Sequence, residues 1–345
     1  MLFLVVFSAV CAVLVHSYAY YSGKISRYIH KNAEKARCRA AVEQHDGSLT
    51  SQTQNLIIKS HLRSLNFDAV CSDVDGTLLN SQHTLSPRMI KGISRAKSQL
   101  PFFLCTGRSR RSMSLAVGPP LISIFSADLK YSEIPGVFQQ GLMVYGEDGQ
   151  LIFERALSEE APDALNDAVE FCKCEGITVI AYAGDEIYAR EITEEARIIQ
   201  MYHEPIPTLF ELGLHKLSSR GITTHKLILL AKQHVLEEIR PRLAALLGTR
   251  ASLTSAVPGM LEVLPPSCHK GLGVGKLLEH FNFDPAKVVG FGDGENDLEF
   301  LRDAVGVGIA VANARDSLKA VADYVSDKTN DQDCVADILE AIHPA

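Results

Sequence analysis

Phe67-Asp68-Ala69-Val70-Cys71-Ser72-Asp73-Val74-Asp75-Gly76-Thr77-Leu78-Leu79 is an apolar run of strand length that ends in two carboxylates one residue apart. Alternate side chains of an extended segment point to the same side. Asp73 and Asp75 therefore leave the strand end as a pair, before Gly76 lets the backbone turn. Two like charges at this spacing require a cation or a shared proton. From Phe67 onward strand-like runs alternate with helical ones, which predicts an α/β fold with a parallel sheet. In open sheets of this kind ligands bind beyond the carboxyl ends of the strands.

Other strand ends supply further groups. Pro101-Phe102-Phe103-Leu104-Cys105 is too short for a helix and runs into Thr106-Gly107-Arg108, a hydroxyl and a guanidinium. Val288-Val289-Gly290-Phe291-Gly292 runs into Asp293-Gly294-Glu295-Asn296-Asp297, with Asp293 at a strand end and Asp297 opening the next helix. Lys270 falls in the first turn of a helix, where a cation opposes the helix dipole and so points to a nearby anion. Oxygen donors without histidine or cysteine favour a hard cation, Mg²⁺ above all. Thr106 and Lys270 complete a cradle for phosphoryl oxygens. The chemistry this predicts is phosphoryl transfer to a carboxylate nucleophile.

The texture changes between these motifs. Glu147-Asp148-Gly149-Gln150 is a hairpin turn signal, and from Ser158 a helix, paired strands and a second helix follow. This block carries none of the carboxylate motifs and reads as a separate α/β lid. The predicted divisions are a core over 66–157, a lid over 158–258 and a returning core over 259–345, resuming at the strand Met260-Leu261-Glu262-Val263-Leu264. Tyr182, Glu186, Arg190 and His203 are candidate substrate contacts in the lid.

Composition bounds the partners. The chain has 345 residues and a net charge of -7. It carries no basic footprint of a nucleic-acid binder. Its eight cysteines show no C-x-x-C pair, so neither a structural zinc site nor a disulfide framework is expected. Residues 1–21 hold no charged side chain. Residues 1–22 read as a signal peptide or as a membrane anchor. Lys24, Arg27, Lys31, Lys35, Arg37 and Arg39 follow, so an anchored chain would face the cytoplasm. A cleaved signal with that basic flank would instead form a bipartite address into the secretory pathway or a plastid-type organelle. Residues 23–65 read as this targeting or linker segment. Nothing in the sequence sets an oligomeric state.

The ordered set DVDGT, TGR, a late Lys-Gly and GDGEND resembles the haloacid dehalogenase superfamily, and a lid between the second and third motifs resembles its Cof-type, class IIB members. PGVFQQGLMVYG, YHEP, MLEVLPPSCHKG and GDGENDLEFL are similar to the Cof-like domain of plant and algal plastid proteins. The likeness runs from Asn66 to Ile342. It implies a Rossmann-like core with a parallel sheet and an inserted α/β cap of the C2B type. It also implies a Mg²⁺-dependent phosphatase for small phosphorylated metabolites, sugar phosphates first and phosphorylated cofactors such as FMN or pyridoxal phosphate second.

By the same resemblance Asp73 is the nucleophile that becomes phosphoaspartate. Asp75 protonates the leaving oxygen, activates water and lends its main-chain carbonyl to the metal. Thr106, Gly107, Arg108, Lys270 and Asn296 hold the phosphate. Asp73, Asp75, Asp293 and Asp297 form the metal set. Gln140-Gly141 departs from the Asn-Gly of many relatives. In plants this domain can follow an endoribonuclease domain, whose His-rich motif is absent here. The alternatives are a phosphomannomutase-like mutase and a membrane-tethered metabolite-binding protein.

Overall fold

The computed structural model describes residues 51–342. The segment 1–22 read as a signal or anchor, and most of the targeting stretch 23–65, lie outside the described residues. Among the described residues no helix is long and apolar enough to cross a membrane.

A strand whose every side chain is buried must sit inside a covered sheet, and this is the place of β1 (Ala69–Ser72). Its neighbours are β2 (Phe102–Cys105), buried at every position, and, from the far end of the chain, β12 (Val288–Gly292). Between these lie β3 (Gly136–Phe138), β4 (Met143–Tyr145), β5 (Leu151–Glu154), β6 (Thr178–Ala183), β7 (Glu186–Ala189), β8 (Thr208–Leu209), β9 (Lys226–Leu230), β10 (Ser252–Thr254) and β11 (Met260–Leu264). β13 (Val307–Ala310) and β14 (Tyr324–Val325) follow β12.

The first sheet has the order β14-β13-β12-β1-β2-β3-β4-β5. It is parallel from β14 to β3, and the β3–β4–β5 hairpins are antiparallel. The chain leaves β1 toward β2 on one side and reaches β12 on the other. β1 therefore stands at the point where the strand order reverses, and a crevice opens at its carboxyl end. Local chemistry agrees with this path. Ser86 caps the helix Pro87–Lys97 by accepting the Met89 amide, with Pro87 in the first turn.

The second sheet has the order β10-β11-β9-β6-β7-β8. Its strands alternate between two faces. Leu227, Leu229, Leu261 and Val263 pack in one cluster with Leu165, Ala168 and Cys172 of the helix Pro162–Glu175 and with Leu236, Ile239 and Leu243 of the helix Gln233–Leu247. Ile180, Tyr182, Ile228 and Leu230 form a cluster on the opposite face, with Met260 against it. Lys226 and Glu262 share that second face by strand alternation.

One expectation is corrected here. The strand Met260–Leu264 does not return to the first sheet, where the division at residue 259 placed it. It pairs antiparallel with β9 and β10 as part of the cap. A short apolar strand carries no mark of which sheet it joins. The chain re-enters the core through the helix Lys270–His280.

Candidate active site

Asp73 follows β1, and its amide donates to the Phe291 carbonyl of β12 at 2.9 Å, which brings the two carboxyl strand ends side by side. Gly76 makes the next approach feasible. Its φ is +71°, and a Cβ there would stand 2.3 Å from Asp293 Oδ2. The loop after β1 can thus close over Asp293 only with glycine at this position. Thr77 Oγ1 donates to Asp293 Oδ1 at 3.4 Å.

Lys270 lies at the centre. Its side chain has no exposure, and its Nζ donates to Asp73 Oδ1 and to Asp297 Oδ1, each at 2.6 Å. Asp297 Oδ2 accepts the amides of Asp293 and Gly294, both at 3.0 Å. Both oxygens of Asp297 are therefore engaged in orienting the lysine and the loop. A lysine in this first turn faces an anion, as the dipole argument required.

Asp73, Asp293 and Asp297 each offer an oxygen within 4.8 Å of the others. Burial pushes the Asp73 carboxyl well above the ordinary range, Lys270 pulls it back, and Asp297, Asp293 and Asp75 push it up again. Burial, followed by the Asp297 charge, raises Asp293 to about 7 against the opposing pull of Lys270. For Lys270 burial works to lower the pKa, but Asp297 and Asp73 outweigh it and the ammonium is held charged. One lysine thus leaves surplus negative charge among oxygen-only donors. That donor set fits a hard divalent cation.

A stability prediction follows. Without metal, folded Asp293 keeps its proton up to about pH 7, whereas the unfolded chain releases it near pH 4. The folded state binds more protons across that window, so the contribution of this group to stability falls as pH rises from about 4 to about 7. In EDTA the melting temperature is expected to drop by several degrees over the window. Asp293→Asn should flatten the drop, and Mg²⁺ should oppose it more strongly at higher pH. Parallel pH profiles for wild type and variant would contradict the assignment.

Asp75 has a different neighbour. Arg108 grips its carboxylate with Nε and Nη2, each at 2.7 Å, in the bidentate geometry that suits guanidinium and carboxylate. Burial works against the Arg108 charge, but Asp75 outweighs it and keeps the pKa raised. Arg108 Nη1 also donates to the Tyr202 carbonyl of the cap. Thr106 is fully buried, and its Oγ1 accepts the Arg108 amide at 3.1 Å. Gly107 presents its carbonyl to Lys226 Nζ at 2.8 Å.

Asn296 Nδ2 donates to Gln140 Oε1 at 3.0 Å, and Gln140 Nε2 donates to Glu262 Oε1 at 2.6 Å. Glu262 Oε2 accepts Lys226 Nζ at 2.5 Å. This chain of contacts links the β12 loop, the loop after β3 and two cap strands. Gln140, whose substitution for asparagine marked a departure, is a buried link in it. Lys226 and Glu262 are 1% and 4% exposed, so their desolvation must be offset by this full set of partners.

The cavity between the core strand ends and the cap is lined by Asp73, Asp75, Asp293 and Asn296 from below. Tyr182, Tyr202, Glu204, Lys226 and Glu262 line it from above. Of the expected cap contacts Tyr182 lies here, whereas Arg190 and His203 are exposed, and Glu186 is an exposed partner of Arg111 at 3.5 Å. Glu204, Lys226 and Glu262 went unread in the sequence. A signal did exist, since Lys226 and Glu262 are opposite charges inside otherwise apolar strands.

Known proteins share this architecture. The haloacid dehalogenase-like hydrolase family matches residues 70–339. The chain is 32% identical over 284 residues to "Endoribonuclease YBEY, chloroplastic" of Arabidopsis thaliana, covering 79% of this chain and 46% of that protein. The chain therefore spans less than half the length of that relative. It is 25% identical over 282 residues to "5-amino-6-(5-phospho-D-ribitylamino)uracil phosphatase YbjI" of Escherichia coli, covering 79% of this chain and 95% of that one. A solved HAD/COF-like hydrolase from Plasmodium vivax has the same fold at a TM-score of 0.73 and 23% identity, covering 83% of this chain and 98% of that one. With the carboxylate-flanked lysine at the strand ends and a cap inserted between the motifs, the chain belongs to the haloacid dehalogenase-like hydrolases.

Proposed function

We propose that this phosphatase is a Mg²⁺-dependent phosphomonoesterase acting on a small phosphorylated metabolite through a phosphoaspartate. The observation that carries the reading is Lys270, buried between Asp73 and Asp297 with Asp293 beside them. Asp73 and Asp293, together with the main chain at Asp75, are the groups that would hold the metal, with Asp297, whose oxygens serve Lys270 and the loop amides, adding charge beside them. A bound Mg²⁺ would neutralise phosphoryl charge and the surplus charge of the carboxylates.

Asp73 attacks phosphorus, and the bond to the leaving oxygen breaks as that oxygen takes a proton from Asp75. Asp75 then accepts a proton from water, whose oxygen attacks the phosphoaspartate and releases inorganic phosphate. Lys270 favours the ionised form of Asp73 and aims it, and a bound Mg²⁺ would favour that form further. Arg108, together with the loop Thr106-Gly107, receives the phosphate; an arriving dianion competes with Asp75 for Arg108, and the freed Asp75 carboxylate takes up a proton from solvent, the proton it then gives to the leaving oxygen. Asn296 bounds the phosphate pocket.

Sugar phosphates are the first substrate class and phosphorylated cofactors or their precursors the second. The ribitylaminouracil phosphatase relative supports a polyol phosphate on either count. Inorganic phosphate should be released from members of a hexose, pentose and cofactor phosphate panel with Mg²⁺ and not in EDTA. Transfer of the phosphate between positions of a hexose without release would favour the mutase. No turnover of any ester would remove the reading.

The uncharged N-terminal run with its basic flank, and the chloroplastic relative, support entry into a plastid-type organelle. Imaging of tagged chains with and without residues 1–22 distinguishes this from a cytoplasm-facing anchor.

A further inference from the structure

We infer that Glu204 of the cap is a specificity-determining residue whose free carboxylate oxygen accepts a hydrogen bond from a donor group, an amine or a hydroxyl, on the leaving alcohol. This inference rests on the phosphatase reading above and adds what the cap demands of the substrate.

The argument starts from polar atoms shut away from water, which need partners. In the cavity roof both oxygens of Glu262 are taken, by Lys226 and Gln140. Both oxygens of Asp75 are taken by Arg108. Glu204 is 9% exposed and lines the same cavity, yet its Oε2 has no hydrogen-bond partner. The Ser112 and Tyr182 hydroxyls serve the carboxyl group without reaching that atom. Burial raises the Glu204 pKa, with Arg108, Ser112 and Lys226 acting against the rise.

Charge points the same way. The two basic side chains that line the cavity, Arg108 and Lys226, are each matched to another carboxylate, Asp75 and Glu262. Glu204 is the surplus acceptor on the cap side. Ile199, Ile228, Val257 and Met260 add apolar surface to the same lining. A leaving group that fits presents an apolar face to these residues and a single donor to Glu204. A site with a buried acceptor discriminates strongly against analogues that lack the donor, because they leave the acceptor unpaired.

The test uses the full chain with Mg²⁺ and three esters: benzyl phosphate, 3-aminobenzyl phosphate and 4-aminobenzyl phosphate. The wild type is expected to prefer one aminobenzyl ester over benzyl phosphate by roughly tenfold or more in kcat/KM. Glu204→Ala should bring that ratio close to one. Glu204→Gln keeps an acceptor oxygen and should retain part of the preference, with the change falling mainly on KM. Because each variant is read as a ratio of two substrates, a lowered fraction of folded enzyme does not affect the result. A ratio unchanged in both variants, or a wild type that turns over all three esters equally, would overturn the inference and leave the phosphatase reading standing. A wild type that releases phosphate from the metabolite panel but from none of these three esters would overturn the inference alone, and one that hydrolyses neither set would overturn both.

Discussion

Asp73→Asn is expected to lower turnover by at least about 10³-fold while leaving the melting temperature unchanged or raised. The two effects have separate causes. Asparagine has the shape of aspartate but is too weak a nucleophile to attack phosphorus, so the covalent step is lost. Asp73 is also one of several carboxylates crowded in a buried site, where burial and its acidic neighbours disfavour its charge. Removing that charge relieves repulsion, and Lys270 retains Asp297 at 2.6 Å as its partner. Phosphate release and thermal melting measured on one preparation check both halves. Loss of activity with a collapse in stability would instead give Asp73 a structural role, and normal activity would exclude it as the nucleophile.

Lys270→Met should have the opposite balance, harming stability and activity together. Methionine replaces most of the lysine stem, so packing is largely kept. The ammonium that lies 2.6 Å from both Asp73 and Asp297 is lost, and two buried carboxylates are left without their cation. Breaking a buried ionic cluster by removing one partner costs about 3–5 kcal/mol. The loss should be largest near pH 8 in EDTA. It should shrink toward pH 5, where Asp293, raised to about 7, takes up a proton and relieves the crowding of negative charge. Mg²⁺ should recover part of the stability and little of the activity, which is expected to fall by about 10²-fold or more. Chemical denaturation at both pH values measures this, and a variant as stable as wild type at pH 8 would contradict the electrostatic account.

The catalytic groups were legible in the sequence because each sits at the end of a short apolar run. Strand, carboxylate and glycine are neighbours along the chain at Asp73 and again at Asp293, and local pattern suffices to read them. Lys270 was legible through its conflict with a helix dipole. The partnerships were not. Gln140 meets Glu262 and Asn296 across separations of 122 and 156 residues, and no local period encodes such contacts. The sheet that Met260–Leu264 joins is not encoded locally for the same reason, since its pattern suits any covered strand. Glu204 gave no signal beyond its place in the stretch YHEP, because the cavity that makes its free oxygen significant exists only after the cap is closed.

The central claim is that phosphorus passes through Asp73, and trapping the intermediate tests it most directly. An acyl phosphate quenched during turnover and reduced with borohydride becomes homoserine, which peptide mass spectrometry locates. Homoserine at position 73, dependent on substrate and on Mg²⁺, is the predicted result. Continued release of phosphate with no modification at position 73, or with modification at another carboxylate, would contradict the account.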